Sequence, residues 1–336
     1  MGPRPSRSTL KVRFLLLLLA TLAASLALAT VLGETPLSAS QYAAAFAHPG
    51  SAPGEILWSL RLPRACAAAL VGAQLGLAGA VMQGLLRNPL ADPGVLGVSA
   101  TAALGASIVI AVGLASAPGA VELAAMVGAL AGGAVVTGLA ARLREPETLI
   151  LFGVALSALA GAATALIFNL SPSLITTSEV MNWLLGSAAG RGWGDLGVAA
   201  VPTLLGAGLA AWAARGLSML TLGEETAALS GLPMARLRAA AVAGAALLTG
   251  AAVATAGVIG FVGLAAPHLV RGSVDDDPAR TLAPSALAGA ILLVLADLAA
   301  RMIPTPEELK LGVVTALLGA PLFALLAWRA SRSWRA

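Results

Sequence analysis

The chain reads as long apolar stretches separated by short polar breaks. Apolar runs lie at about residues 14–32, 65–86, 95–115, 120–141, 149–170, 195–214, 239–257, 258–270, 282–300 and 309–328, ten in all. A bilayer core about 30 Å thick takes roughly 20 apolar residues as a helix, and backbone in lipid must satisfy its own hydrogen bonds. The pattern therefore predicts an all-α polytopic membrane protein of about ten transmembrane helices, a single transmembrane domain over residues 1–336. The seventh and eighth runs are short and separated only by glycines. The first follows Arg4, Arg7, Lys11 and Arg13 and contains Ala27-Leu28-Ala29, which resembles a signal-peptide cleavage site. It is longer than the roughly 7–15 residues of a signal h-region and fits a span. Residues 33–60, with Pro36, His48, Pro49, Pro53, Gly54 and Glu55, read as a loop carrying a short amphipathic helix near Tyr42–Phe46.

The sharpest break is in the stretch from Arg61 to Gly97, which opens on Arg61-Leu62-Pro63-Arg64. It runs apolar and glycine-spaced to Arg87-Asn88-Pro89-Leu90, then breaks again at Asp92-Pro93-Gly94. A polar, proline-rich elbow between two apolar helices is costly in lipid unless it lines water or meets another protein. Asn88, Pro89 and Leu90 are candidate gate residues at the mouth of a pore, because Asn narrows a passage without placing charge in it.

Composition supports the membrane reading, since 11% of residues are charged against about 25% in soluble domains. The net charge of +4 does not mark a nucleic-acid binder, because the cations are scattered at the ends of the runs. The one cysteine, Cys66, precludes a disulfide framework or a zinc site within the chain. His48 and His268 are too few for an embedded haem, and no metal or cofactor is expected. No nucleotide loop of the G-x-x-x-x-G-K-[ST] type exists, because the only lysines are Lys11 and Lys310.

Charge fixes the expected orientation. With the N-terminus cytoplasmic and ten spans, that side collects 15 of the 20 Lys and Arg, and the far side receives only Arg61, Arg64, Arg191, Arg301 and Lys310. This satisfies the positive-inside rule and places both termini in the cytoplasm. Residues 70–89 align without gaps on 248–267, matching Gly72, Gly79 and Pro89 to Gly250, Gly257 and Pro267, which suggests an inverted repeat. Gly/Ala-rich sequence also aligns easily with itself. Gly72-x-x-x-Gly76 and Gly128-x-x-x-Gly132 are small-residue packing seams. Trp58, Trp183 and Trp193 fit an interfacial belt.

Residues 216–238 are the largest polar island on the cytoplasmic side. Thr221 is placed to cap a short helix, with Glu224 and Glu225 at its dipole-favoured end. Gly231 and Pro233 stop it, and Arg236 and Arg238 anchor the next span. Such a helix suits docking in a groove of another protein, although a solvated loop has the same composition. On the far side, Arg61, Arg64 and Arg301 admit two readings. One is interfacial snorkelling, with Asp297 pairing Arg301 at i,i+4. The other is a basic rim for an acidic partner.

Four motifs resemble one family. RLPR with NPLADPGVLGVS, LGEETAALSGL, GVIGFVGLAAPHLVR and ELKLGVVTALLGAPLF occur in the order found in permease subunits of type II ABC importers for ferric siderophores, haem and cobalamin. The resemblance implies a homodimeric permease with no catalytic residue of its own, two ATP-binding subunits and one periplasmic binding protein. It implies import from periplasm to cytoplasm across the inner membrane, with an iron chelate as cargo or, alternatively, cobalamin. By the same resemblance Gly223, Glu224, Glu225, Ala228, Leu229 and Gly231 contact the ATPase. Asn88 and Leu90 help close the cytoplasmic gate, and Arg61, Arg64 and Arg301 meet glutamates of the binding protein. The loop Glu145–Thr148, a second gate candidate, and the acidic run Asp275–Asp277 depart from the family pattern. Pro267-His268-Leu269 reads as helix-end packing. An ion-coupled secondary transporter is the rival class. It usually needs buried carboxylates near midplane, and Glu122, Asp195 and Asp297 all fall near span ends.

Overall fold

The computed structural model describes the backbone of residues 7–142, 146–171, 173–305 and 307–333, and among these there are helices and no strands. The helices are α1 (Arg7–Val31), α2 (Ala39–Ala47), α3 (Ala52–Gly54), α4 (Leu62–Leu86), α5 (Val98–Ala111), α6 (Ala120–Arg142) and α7 (Pro146–Leu170). They continue as α8 (Leu174–Leu184), α9 (Trp193–Leu220), α10 (Glu224–Leu229), α11 (Met234–Ala256), α12 (Val262–Arg271), α13 (Pro278–Met302) and α14 (Leu311–Ser333). Glu55–Arg61 makes π-helical turns that join α3 to α4, so Ala52–Leu86 is one rod of 35 residues. Part of the expected loop 33–60 is thus helix, and α2 covers the short helix expected near Tyr42–Phe46. Ser38 caps α2 by accepting from the Gln41 amide, while Gln41 reaches back to the Ser38 amide, a capping box.

Each of the ten apolar runs becomes a helix, but length divides them. Seven are long and apolar enough to cross a membrane: α1, the Ala52–Leu86 rod, α6, α7, α9, α11 and α13. The expected count of about ten is therefore not met by helix length. The exceptions are α5 with 14 residues, α12 with 10, and α14, apolar over Leu311–Leu325. At 1.5 Å per residue, α5 covers only about 21 Å and α12 about 15 Å. Short helices flanked by irregular backbone are tolerated at membrane depth where protein buries them, and residues 262–267 of α12 are all buried. Glu145, in the second gate candidate, and the cations Arg4, Arg144 and Arg335 lie outside the described residues.

The rod containing α4 and the helix α11 form the centre, while α1, α7 and α9 expose most of their surface. α4 packs chiefly on α13, and α11 on α6 and α9. A Cβ at Gly72 would fall 2.2 Å from Gly289 O, and one at Gly79 would fall 1.8 Å from Gly263 O. These contacts bring α4 backbone to backbone against α13 and α12, the close approach that glycine allows in lipid.

The order long–short–long of α4–α5–α6 recurs as α11–α12–α13. The gapless register of 70–89 on 248–267 is not the register of these elements. The first segment is helix up to Leu86, whereas the second breaks at Gly257 (φ 72°) and resumes at Val262. The Trp183 carbonyl and Gly186 crowd Gly257, so a Cβ there would lie 2.3 Å from Trp183 O.

Candidate functional site

The two ends of α4 gather the polar chemistry. At its N-terminal end a cluster of charges is largely closed to solvent. Asp297 of α13, 1% exposed, accepts from Arg64, whose Nε lies 3.1 Å from both carboxylate oxygens and whose Nη2 lies 2.8 Å from Oδ1. Arg301 Nε sits 3.1 Å from Asp297 Oδ2, the i,i+4 pair expected from sequence, without hydrogen-bond alignment. Glu308 closes the other side of Arg64, accepting from Nη1 at 3.1 Å and from Nη2 more closely.

Arg61 and Arg301, 6% and 7% exposed, are turned inward. Arg61 donates to Val31 O at 2.7 Å and to Thr35 O, and Arg301 donates to Ala29 O at 3.1 Å. Val31 and Ala29 belong to the last turn of α1, whose carbonyls have no partner within the helix. Two of the three candidate docking arginines thus cap α1, where a cation is also favoured by the helix dipole. Arg64 is the most exposed of the three, with its side chain 13% exposed and that of its partner Glu308 25%. A second ion group, Arg191 with Glu122 at 2.6 Å and Asp195 at 3.8 Å, ties α6 to the start of α9. Trp193 Nε1 donates to Trp58 O at 3.2 Å, whereas Trp183 packs on the core with its indole nitrogen unpartnered among the described residues.

At the other end of α4, Arg87 turns left-handed (φ 48°), ending the helix, and Asn88 N–H donates back to Gln83 O at 3.2 Å. Asn88 Oδ1 then accepts from Leu90 N–H at 2.9 Å, an Asx turn that sets the elbow. Arg87, Asn88 and Pro89 are exposed and Leu90 half-buried. Asp92 accepts from Gly94 N–H at 2.7 Å and so starts the turn Pro93–Leu96. Desolvation raises the Asp92 carboxyl above the usual carboxylate range, against the Gly94 amide, which favours the ionised form. Asp92 borders a cavity of about 470 Å³ that also meets Leu75, Ser99, Thr164, Thr249 and Gly260. This lining is mostly apolar and is assembled from α4, α5, α7, α8, α11, the Asp92–Gly94 turn and the break before α12, so no single stretch of sequence marks it as a cavity.

The expected polar island 216–238 is part helix on both sides: α9 extends to Leu220 and α11 begins at Met234. Thr221 does not cap α10. Its hydroxyl donates to Ser218 O at 2.7 Å, and the cap position is Gly223 at φ 100°, a conformation closed to threonine. Ala227 faces the core, whereas Glu225, Ala228, Leu229 and Gly231 are exposed. Leu222 and Leu229, 70% and 84% exposed, stand on either side of this polar turn. Glu224 faces inward to Arg238 Nη2 at 2.6 Å, with Arg87 Nη2 at 4.0 Å. The α4 elbow and α10 are therefore neighbours on one face. Asp277, without a role from sequence, caps α13 through Ala279 N–H at 3.0 Å and accepts from Ser218 Oγ of α9. His268 lies in the last turn of α12, just after Pro267. Among the described residues no three His, Cys, Asp or Glu come together to hold a metal.

Comparison with known proteins fits this architecture. The FecCD transport family matches residues 16–329. The vitamin B12 import system permease BtuC of Vibrio cholerae is 43% identical over 277 residues, 80% of this chain and 81% of that protein. The ABC transporter permease YvrB of Bacillus subtilis is 41% identical over 287 residues, 83% of this chain and 80% of that protein. A solved metal-chelate type ABC transporter in an inward-facing conformation superposes with a TM-score of 0.82 at 31% identity, covering 95% of this chain and 99% of that one. By its apolar helices, its ordered motifs and these matches, the chain belongs to the FecCD transport family and is a membrane-embedded permease of the ABC importer type.

Proposed function

We propose that the chain imports a metal chelate from periplasm to cytoplasm as a homodimer, with both termini cytoplasmic, and that cobalamin is the first cargo to test. Similarity of more than 40% to vitamin B12 permeases carries the choice of cobalamin over the iron chelate expected from sequence. A ferric siderophore or haem is the second reading, favoured by the likeness to a metal-chelate transporter. In this proposal α10 docks on the ATP-binding subunit through Glu225, Ala228, Leu229 and Gly231, with Gly223 and Glu224 setting its angle. The exposed Leu222 and Leu229 support that role, because exposed apolar side chains framing a short helix suit a groove. Asn88, Pro89 and Leu90 form the cytoplasmic gate, and the Arg61, Arg64 and Arg301 face receives the binding protein. Alternating access then follows from the partners' unequal affinity for two states of the permease. Uptake of labelled cyanocobalamin and of a labelled ferric siderophore by proteoliposomes holding the co-purified transporter separates the cargoes. ATP-dependent accumulation of the siderophore and not of cyanocobalamin overturns the first choice.

A further inference from the structure

The face proposed to receive an acidic partner already holds an acid of its own. Arg64 lies between two carboxylates of different standing. Asp297 is buried on α13 and shared with Arg301, whereas Glu308 is part-exposed and borne by the irregular residues 307–310. The cluster Arg61, Arg64, Arg301, Asp297 and Glu308 sums to three positive and two negative charges, so removing Glu308 from Arg64 leaves it at +2 and open on its solvent side.

The segment that carries Glu308 is tethered at its end. Leu311 N–H donates to Gly186 O at 2.9 Å and Gly312 N–H to Leu185 O at 3.1 Å, while Ser187 N–H donates to Ala256 O at 2.8 Å. A Cβ at Gly312 would fall 2.4 Å from Leu185 O, so these backbones are in close contact. These contacts link the end of that segment to the start of α14, the α8–α9 connection and the end of α11.

The geometry points to Glu308 as an internal stand-in for an acidic side chain of the docking protein. It occupies Arg64 in the undocked permease and gives way when the partner's carboxylate arrives. Docking then releases residues 307–310 and acts through them on α14. This inference rests on the proposed docking face and adds to it the residue that must be displaced. It also explains why the one surface-reaching arginine of the face is not free.

A fluorescent hexaglutamate peptide is the probe, titrated by anisotropy against the chain in nanodiscs of neutral lipid. Glu308→Gln is expected to bind it roughly fivefold more tightly than wild type at low ionic strength, the effect of one charge at about 4 Å in water. The gain is expected to vanish in roughly 1 M salt, and Arg64→Gln/Glu308→Gln is expected to lose it. If Glu308→Gln binds no better than wild type while Arg64→Gln binds worse, the stand-in is overturned and the docking face survives. If neither substitution changes binding, both are overturned. Should Glu308→Gln melt below wild type, Glu308→Asp replaces it: the shortened acid is expected to bind the peptide more tightly than wild type, and equal or weaker binding overturns the inference.

Discussion

The two ends of α4 hold their arginines in opposite ways. At the N-terminal end Arg61 and Arg301 are buried, and Arg64 is clamped between Asp297 and Glu308. At the C-terminal end Arg87 is exposed and reaches Glu224 only at 4.0 Å, and the elbow is held mainly by the local turn of Asn88. Buried charge is costly to unpair, whereas exposed pairs contribute little. The first end is therefore built to hold α1, α4 and α13 in one arrangement. The second has weak ties of its own and is suited to moving with whatever grips α10.

The largest expected effect follows from the first end. Asp297→Ala leaves Arg64 and Arg301 without their shared acid and is expected to destabilise the chain by about 3–5 kcal/mol, read as a fall in melting temperature in detergent. A loss below about 1 kcal/mol would place that cluster in the same class as the exposed one. Arg61→Gln is expected to cost less, about 1–3 kcal/mol for α1 carbonyls left with poorer donors. Its signature is faster amide exchange confined to the last turn of α1 and the Thr35 loop.

At the opposite end stability and transport should separate. Glu224→Gln is expected to change stability by about 1 kcal/mol or less, since its pairs are part-exposed. Reversing Glu224 and Glu225 to Lys, or inserting Gly-Ser beside Glu225, is expected to uncouple ATP hydrolysis from uptake in a chain that still inserts. Normal uptake by both variants would remove the docking role of α10. The smallest perturbation is a probe: Asn88→Cys in a Cys66→Ala background is expected to crosslink two copies in one nucleotide state and not in another. No crosslink in any state would move the elbow off the dimer axis.

The same contrast divides what was legible in the sequence. Apolar runs and glycine-proline breaks located every long helix, because in lipid the backbone has no other way to satisfy itself. The Asp297–Arg301 pair was legible at i,i+4. Its third member was not, since Arg64 and Asp297 are 233 residues apart and only the α4–α13 seam brings them together. The Arg64–Glu308 contact is hidden in the same way, across 244 residues. Residues 55–60 read as loop after Pro53 and Gly54, yet with Arg61 they wind as π-helical turns that keep α4 continuous. Side-chain preference points to Thr221 as the α10 cap, whereas the backbone there needs the positive φ of Gly223. Short helices such as α8, with Thr176, Thr177, Ser178 and Asn182, carry too little apolar pattern to stand out.

In the proposed function this permease is driven by ATP hydrolysed on a separate chain. Uptake by proteoliposomes containing it and its co-purified ATP-binding subunits tests this directly, with a Walker-motif-dead ATPase partner and with a protonophore as the two arms. The expected result is uptake abolished by the dead ATPase and unaffected by the protonophore. Uptake that survives the dead ATPase and collapses with the protonophore would contradict the claim and make the chain an ion-coupled transporter.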